Sequence, residues 1–169
     1  SDSFDVEGFD ADFAFTVDGG ALGGLEYETF NAAAVSIKLH GVSVHPGSAK
    51  DKMVNAAIIA QEIMNMLPSD QRAENTEERE GFILITDMST NIEEGSMEMI
   101  IRDHDKDLFE SKKQLIKEIT ETLNEKYGYM AVETVVTDTY YNMRNIIEQD
   151  MSIITLAQDA MKQCDVTPV

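Results

Sequence analysis

Residues 40–50, HGVSVHPGSAK, end one β-like run, turn through His45-Pro46-Gly47 and lead into a helix. Pro46 fixes its own φ and pushes His45 toward an extended conformation. Gly47 permits the sharp turn that follows. Two of the chain's three histidines sit in this stretch. A histidine held on such a turn is presented rather than packed, although a plain strand-to-helix connection with a solvated imidazole would leave the same trace.

Upstream of this turn, Val35, Ile37 and Leu39 alternate with Ser36, Lys38 and His40, the pattern of a strand with one covered face. Gly41 is expected to mark a bulge. Downstream, Ser48 with Asp51 three residues on reads as a capping box. The helix it opens runs to about Leu67, with Met53, Ala57, Ala60, Met64 and Leu67 on one face, widened by Val54 and Ile58. Pro68 stops it. Residues 71–80 are polar and read as an exposed loop.

Residues 82–87 and 96–103 read as two strands joined around Glu93-Glu94-Gly95, with Met97, Met99 and Ile101 sharing a face. Asp105 caps the next helix, whose stripe is Phe109, Leu115, Ile116, Ile119 and Leu123, and Gly128 ends it. Asp103 is expected beside Asp105 as a capping and surface acid. Residues 130–139 are β-branched and strand-like. From Val35 to Thr139 the order is therefore β-α-β-β-α-β. That order suits an α+β fold: a two-layer sandwich of four antiparallel strands under two helices, ferredoxin-like.

The flanks do not belong to this unit. Residues 10–18 alternate Phe13, Phe15 and Val17 with Asp12, Ala14 and Thr16, and residues 25–30 suggest a second short strand. After YYNMR at 140–144 comes a last helix with Ile147, Met151, Ile154, Ala157 and Met161 on one side. Cys164 on that helix reads as a small packing residue. The expected division is 1–30, 31–142 and 143–169, the outer two being pieces of another domain. Ser1-Asp2-Ser3 reads as a cut point.

Composition narrows the function. Thirteen Lys and Arg against 32 Asp and Glu give a net charge of −19, which argues against nucleic acid or an anionic membrane as partner. Apolar and charged fractions of 43% and 27% are those of an ordinary globular protein, with no long apolar run. A single cysteine fits a reducing compartment, so a cytoplasmic location is expected.

FAFTVDGGALGGLEYETFNAA, KLHGVSVHPGSAKDKMVNA, IIRDHDKDLFESKK and YYNMR, in that order, closely resemble the peptidase T family of bacterial aminotripeptidases. That family belongs to the dinuclear zinc peptidases, with aminoacylases, carnosinases and glutamate carboxypeptidases. The resemblance implies an α/β catalytic domain interrupted by a β-α-β-β-α-β lid. Residues 31–142 would be the lid, and both flanks catalytic-domain fragments. It implies cleavage of the N-terminal residue from tripeptides, with zinc as cofactor. Asp18 in TVDGG matches one metal ligand of the family. His45 matches the lid histidine that stabilises the oxyanion, and Asn142 and Arg144 match the pair that binds the substrate's C-terminal carboxylate.

The family's other metal ligands and its general-base Glu have no counterpart here, and one carboxylate cannot hold a catalytic zinc. The expectation is a fragment that is inactive alone, drawn from a zinc tripeptidase whose substrate is a small peptide. His40 and His104 have no family counterpart and read as structural or solvated. In such a sheet the first and last strands are antiparallel neighbours, and His45 lies roughly 40 Å from the start of the first strand at about 3.3 Å per residue. His45 is therefore expected to serve a second subunit, as in dimeric members of the group that join through the lid. A stand-alone ferredoxin-like binding or dimerisation module, and the lid of a related dipeptidase, remain alternatives.

Overall fold

The computed structural model describes residues 5–169, so the expectation for Ser1–Ser3 lies outside the described residues. The chain divides into two units. One is built from the residues up to Tyr27 and those from Met143 onward; the other is Glu28–Asn142.

The Glu28–Asn142 unit is organised on β1 (Asn31–His40), in which Ala33, Val35, Ile37 and Leu39 are buried and Ala34, Lys38 and His40 face out. It continues with α2 (Ala56–Met66), β2 (Phe82–Thr90), β3 (Glu94–Asp103), α3 (Lys106–Tyr127) and β4 (Val132–Tyr140). The sheet order is β2-β3-β1-β4 and every pairing is antiparallel. β1 opposes β4 from Ala32↔Tyr140 to Leu39↔Val132, so the beginning of the first strand lies beside the end of the last, as expected. The core joins Ile59 and Ile63 of α2, Phe109, Ile116 and Leu123 of α3, and Met97, Met99 and Ile101 of β3 to the inner face of β1. This is the expected α+β two-layer fold.

Local chemistry explains the boundaries of α3. The Asp105 carboxylate accepts from the N–H groups of Asp107 and Leu108 at 2.8 and 2.9 Å, and Gly128 closes the helix at φ 75°. Its stripe differs from the expectation in one place. Lys112 occupies the buried row and Leu115 is only partly covered. Lys112 can sit there because its ammonium meets the Asp103 carboxylate at 2.7 Å. Asp103 is thus a buried ion-pair partner, 1% exposed, and not a surface acid. Its other oxygen accepts from the Asp105 N–H at 2.9 Å.

The start of α2 also differs. Ser48 caps nothing, and Pro46–Ser48 is a single 3-10 turn. Val42 and Val54 exchange backbone hydrogen bonds at 2.7 and 3.0 Å, which closes residues 42–54 into a loop and delays the helix. Asn55 is the cap, accepting from the Ala57 N–H at 2.9 Å. The buried face follows this later start: Ala56, Ile59, Ala60 and Ile63, with Ile58 exposed. Gly41 marks a close approach rather than a bulge, since a Cβ there would collide with the carbonyls of Ile92 and Val54. The register shifts lie instead at Ala32/Ala33 and Ile85/Asp87. Residues 69–75 contain two short 3-10 turns.

The other unit contains α1 (Val6–Phe9), α4 (Arg144–Ile147) and α5 (Ser152–Gln163). Residues 10–18 and 25–30 are irregular, and no strand occurs among the described residues of this unit. Phe13 and Phe15 meet edge to face at 5.7 Å, while Val17 is 97% exposed. Alternation alone does not make a strand; its backbone groups need a partner strand, and none pairs here. The Leu25 N–H instead donates to the Val169 carbonyl at 3.2 Å, and the Val169 N–H to Gly23 at 2.7 Å. Cys164 ends α5 and is exposed, which corrects its reading as a packing residue.

Candidate functional site

His45 stands on the loop closed by Val42 and Val54. That loop is fastened further by the Gly41 N–H, which donates to the Glu93 carbonyl at 2.7 Å, and the Ala56 N–H, which donates to Ile92 at 3.0 Å. The His45 backbone sits at φ −56° and ψ 129°, the extended conformation that Pro46 enforces. The imidazole is exposed and its Nδ1 accepts from the Gly47 N–H at 3.1 Å. A ring nitrogen that accepts carries no proton, so Nε2 is the protonated donor of the neutral ring. Gly47 leaves room for the ring: a Cβ there would stand 3.2 Å from it, a tight contact. The turn therefore selects a tautomer as well as a position.

Asp18 is exposed, and its Oδ1 accepts from the adjacent Gly19 N–H at 2.7 Å. Among the described residues no cluster of three His, Cys, Asp or Glu side chains could hold a metal ion. A catalytic zinc takes about three protein ligands, so the described residues do not fit a complete zinc centre.

Asn142 closes the Glu28–Asn142 unit. Its Nδ2 donates to Glu28 Oε1 at 3.1 Å and to the His104 carbonyl at 3.2 Å, and its Oδ1 accepts from the Thr29 N–H at 3.2 Å. Arg144 begins α4, where its Nε donates to Glu148 Oε1 at 2.6 Å.

Sequence reasoning missed Glu28, whose carboxylate gathers Arg79, Asn142 and His104 around the entry to this unit. Arg79 grips its carboxylate with both guanidinium nitrogens, the second at 2.7 Å. His104 Nδ1 lies 3.7 Å away, its ring tilted over Phe30 with centroids 4.0 Å apart and its side chain 15% exposed. His104 thus packs against Phe30 beside Glu28, while His40 is exposed beside Glu133 at 3.6 Å. The Arg79 fork, with Asn142 and His104 adding to it against the opposing effect of burial, holds the Glu28 carboxyl down at about 2. No local pattern marks this pair, because 51 residues separate its members.

Within this unit His45 and Asn142 are at opposite ends. Asn142 meets Asn31 at the start of β1, and His45 follows the end of that strand, which spans roughly 30 Å at ~3.3 Å per residue.

Comparison with known proteins gives the framework for these residues. Proteins named Peptidase T from Fusobacterium nucleatum and Alkaliphilus oremlandii are 49% and 50% identical over 169 residues, all of this chain and 41% of each relative. The chain thus spans about two fifths of the length of the curated relatives it matches. The crystal structure of a tripeptidase from Staphylococcus aureus superposes with a TM-score of 0.77 at 20% identity, over 98% of this chain and 44% of that one, which shows a shared fold. Residues 27–130 match the family model described as the peptidase dimerisation domain, and the chain belongs to that family.

Proposed function

We propose that this chain is the lid and flanking catalytic-domain part of a zinc-dependent tripeptide aminopeptidase, which removes the N-terminal residue from tripeptides. The observation that carries the reading is identity near one half across the whole chain with proteins named Peptidase T. On this reading residues 31–142 are the lid, and residues 1–30 and 143–169 are pieces of the catalytic domain. The parent is cytoplasmic and forms a homodimer through the lid.

His45 supplies the oxyanion donor. Its Nδ1 is occupied by the Gly47 N–H, which leaves Nε2–H to meet negative charge developing on the scissile carbonyl oxygen. Arg144 binds the substrate's C-terminal carboxylate, for which a planar guanidinium is suited by geometry as well as charge. Asn142 belongs to the same substrate end. Asp18 is one ligand of a zinc centre completed by residues outside this chain.

The separation of His45 from the Asn31–Asn142 end by the length of β1 supports His45 acting on the active site of a partner subunit. A stand-alone binding module is the second reading, since the Glu28–Asn142 unit carries a complete core of its own.

Arg144→Lys in the full-length parent tests the proposal. Lys keeps the charge but loses the fork. kcat/KM for tripeptides should fall about tenfold or more while C-terminal tripeptide amides change little. An equal loss on both would remove Arg144 as the anchor. A full-length parent that cleaves no tripeptide would overturn the enzymatic reading.

A further inference from the structure

The chain enters the Glu28–Asn142 unit at Glu28 and leaves it at Asn142. These two ends are joined by a dense set of hydrogen bonds. The Asn142 N–H donates to Asn31 Oδ1 at 3.0 Å, and Asn31 Nδ2 donates in turn to the carbonyls of Asp103 and His104 at 3.0 and 3.1 Å. The Asn142 side chain reaches Glu28, Thr29 and His104, and Arg79 fixes Glu28 from a separate loop.

An asparagine amide has two N–H donors and one oxygen with two lone pairs. Both donors of Asn142 are engaged, one by the Glu28 carboxylate and one by the His104 carbonyl. A carboxylate ligand needs donors, and the oxygen of Asn142 can offer it only repulsion. Reorienting the amide toward such a ligand would break its hydrogen bonds to Glu28 and to the His104 carbonyl and take the Asn142 oxygen from the Thr29 N–H.

We propose that Asn142 is a positioning residue, a latch anchored by Glu28 and Arg79 that holds the two ends of the lid together, and that it does not itself touch the substrate carboxylate. The enzymatic consequence rests on the function proposed above, whereas the latch itself can be read in this chain alone. Arg144 follows Asn142 by two positions, so the latch acts on carboxylate recognition through the backbone that leads to it.

A double-mutant cycle decides the matter. Glu28→Ala, Asn142→Ala and the double variant are made in the full-length parent and assayed on a tripeptide and its C-terminal amide. Amide exchange at Thr29 is measured for the same substitutions in this chain. With a latch, each single variant speeds Thr29 exchange about five- to tenfold, the effect of losing one hydrogen bond of roughly 1 kcal/mol. Each also raises KM for the tripeptide more than for the amide, with kcat retained, and the double variant is no worse than the worse single variant within about twofold. A general loss of folded protein would instead lower kcat on both substrates alike, and that result overturns the proposal.

The proposal is equally overturned if Glu28→Ala leaves Thr29 exchange and KM unchanged while Asn142→Ala alone weakens tripeptide binding. Additive KM effects would also overturn it, since they make Asn142 a direct ligand. If the wild-type parent does not cleave tripeptides, the proposed function falls, and Thr29 exchange by itself upholds or rejects the latch.

Discussion

Asn142 donates its backbone N–H to the side-chain oxygen of Asn31 at 3.0 Å, although 111 residues separate them. This bond joins the first residue of β1 to the second residue after β4. It makes the start and finish of the Glu28–Asn142 unit a single structural feature, to which Glu28, Arg79 and His104 all attach.

The ionisation of Glu28 gives that feature a pH dependence. Its carboxyl is held at about 2, chiefly by Arg79, against 4.5 for an ordinary glutamate. A lowered carboxyl stabilises the fold fully above the unfolded value and loses that contribution as pH falls through the folded one. Wild type should therefore exceed Glu28→Gln in stability at pH 7, and the gap should close between pH 4.5 and about 2. Urea unfolding of both proteins across that range measures it; a gap independent of pH would show that the charge of Glu28 contributes nothing.

The Asp103–Lys112 pair is a buried ion pair whose members depend on each other. Both groups are buried at a contact of 2.7 Å, and Gly81 leaves the room that the carboxylate fills. Removing one member leaves the other charged without its counter-ion. Asp103→Ala or Lys112→Ala should each cost about 3–5 kcal/mol. The double substitution should cost less than the sum of the two. Additive losses in chemical denaturation would mean the two charges do not interact.

Much of this core was legible from periodicity. Val35, Ile37 and Leu39 show β1 directly, and Asp105 and Gly128 delimit α3 because each bears a side chain, or lacks one, suited to a helix end. The start of α2 was not legible. Ser48 and Asp51 imitate a capping box, and only the Val42–Val54 pairing, a contact made in the folded chain, moves the start to Asn55. Phe13, Phe15 and Val17 alternate as a strand does, yet alternation says nothing about whether a neighbouring strand exists to pair with. Among the site residues, the turn that presents His45 could be read from Pro46 and Gly47. The use of both Asn142 donors could not, because Glu28 lies 114 residues away in sequence.

The proposed sharing of His45 between subunits has its own test. In the full-length parent, Asp18→Ala and His45→Ala homodimers should each be nearly inactive. Mixed dimers should regain up to one working site, built from the intact metal ligand of one chain and the intact His45 of the other. Mixing that restores nothing although subunits exchange would place His45 in its own chain's active site or in none.

The most direct measurement is the steady-state rate of His45→Ala in the full-length parent on a tripeptide. On the function proposed above, the Nδ1 contact with Gly47 leaves Nε2–H to serve as the oxyanion donor, and the loss of one such donor lowers kcat by about 10²–10³. We expect a fall of that size with KM within about twofold of wild type. A kcat that stays within twofold of wild type would contradict the assignment of this chain as the lid of a tripeptidase that completes the active site.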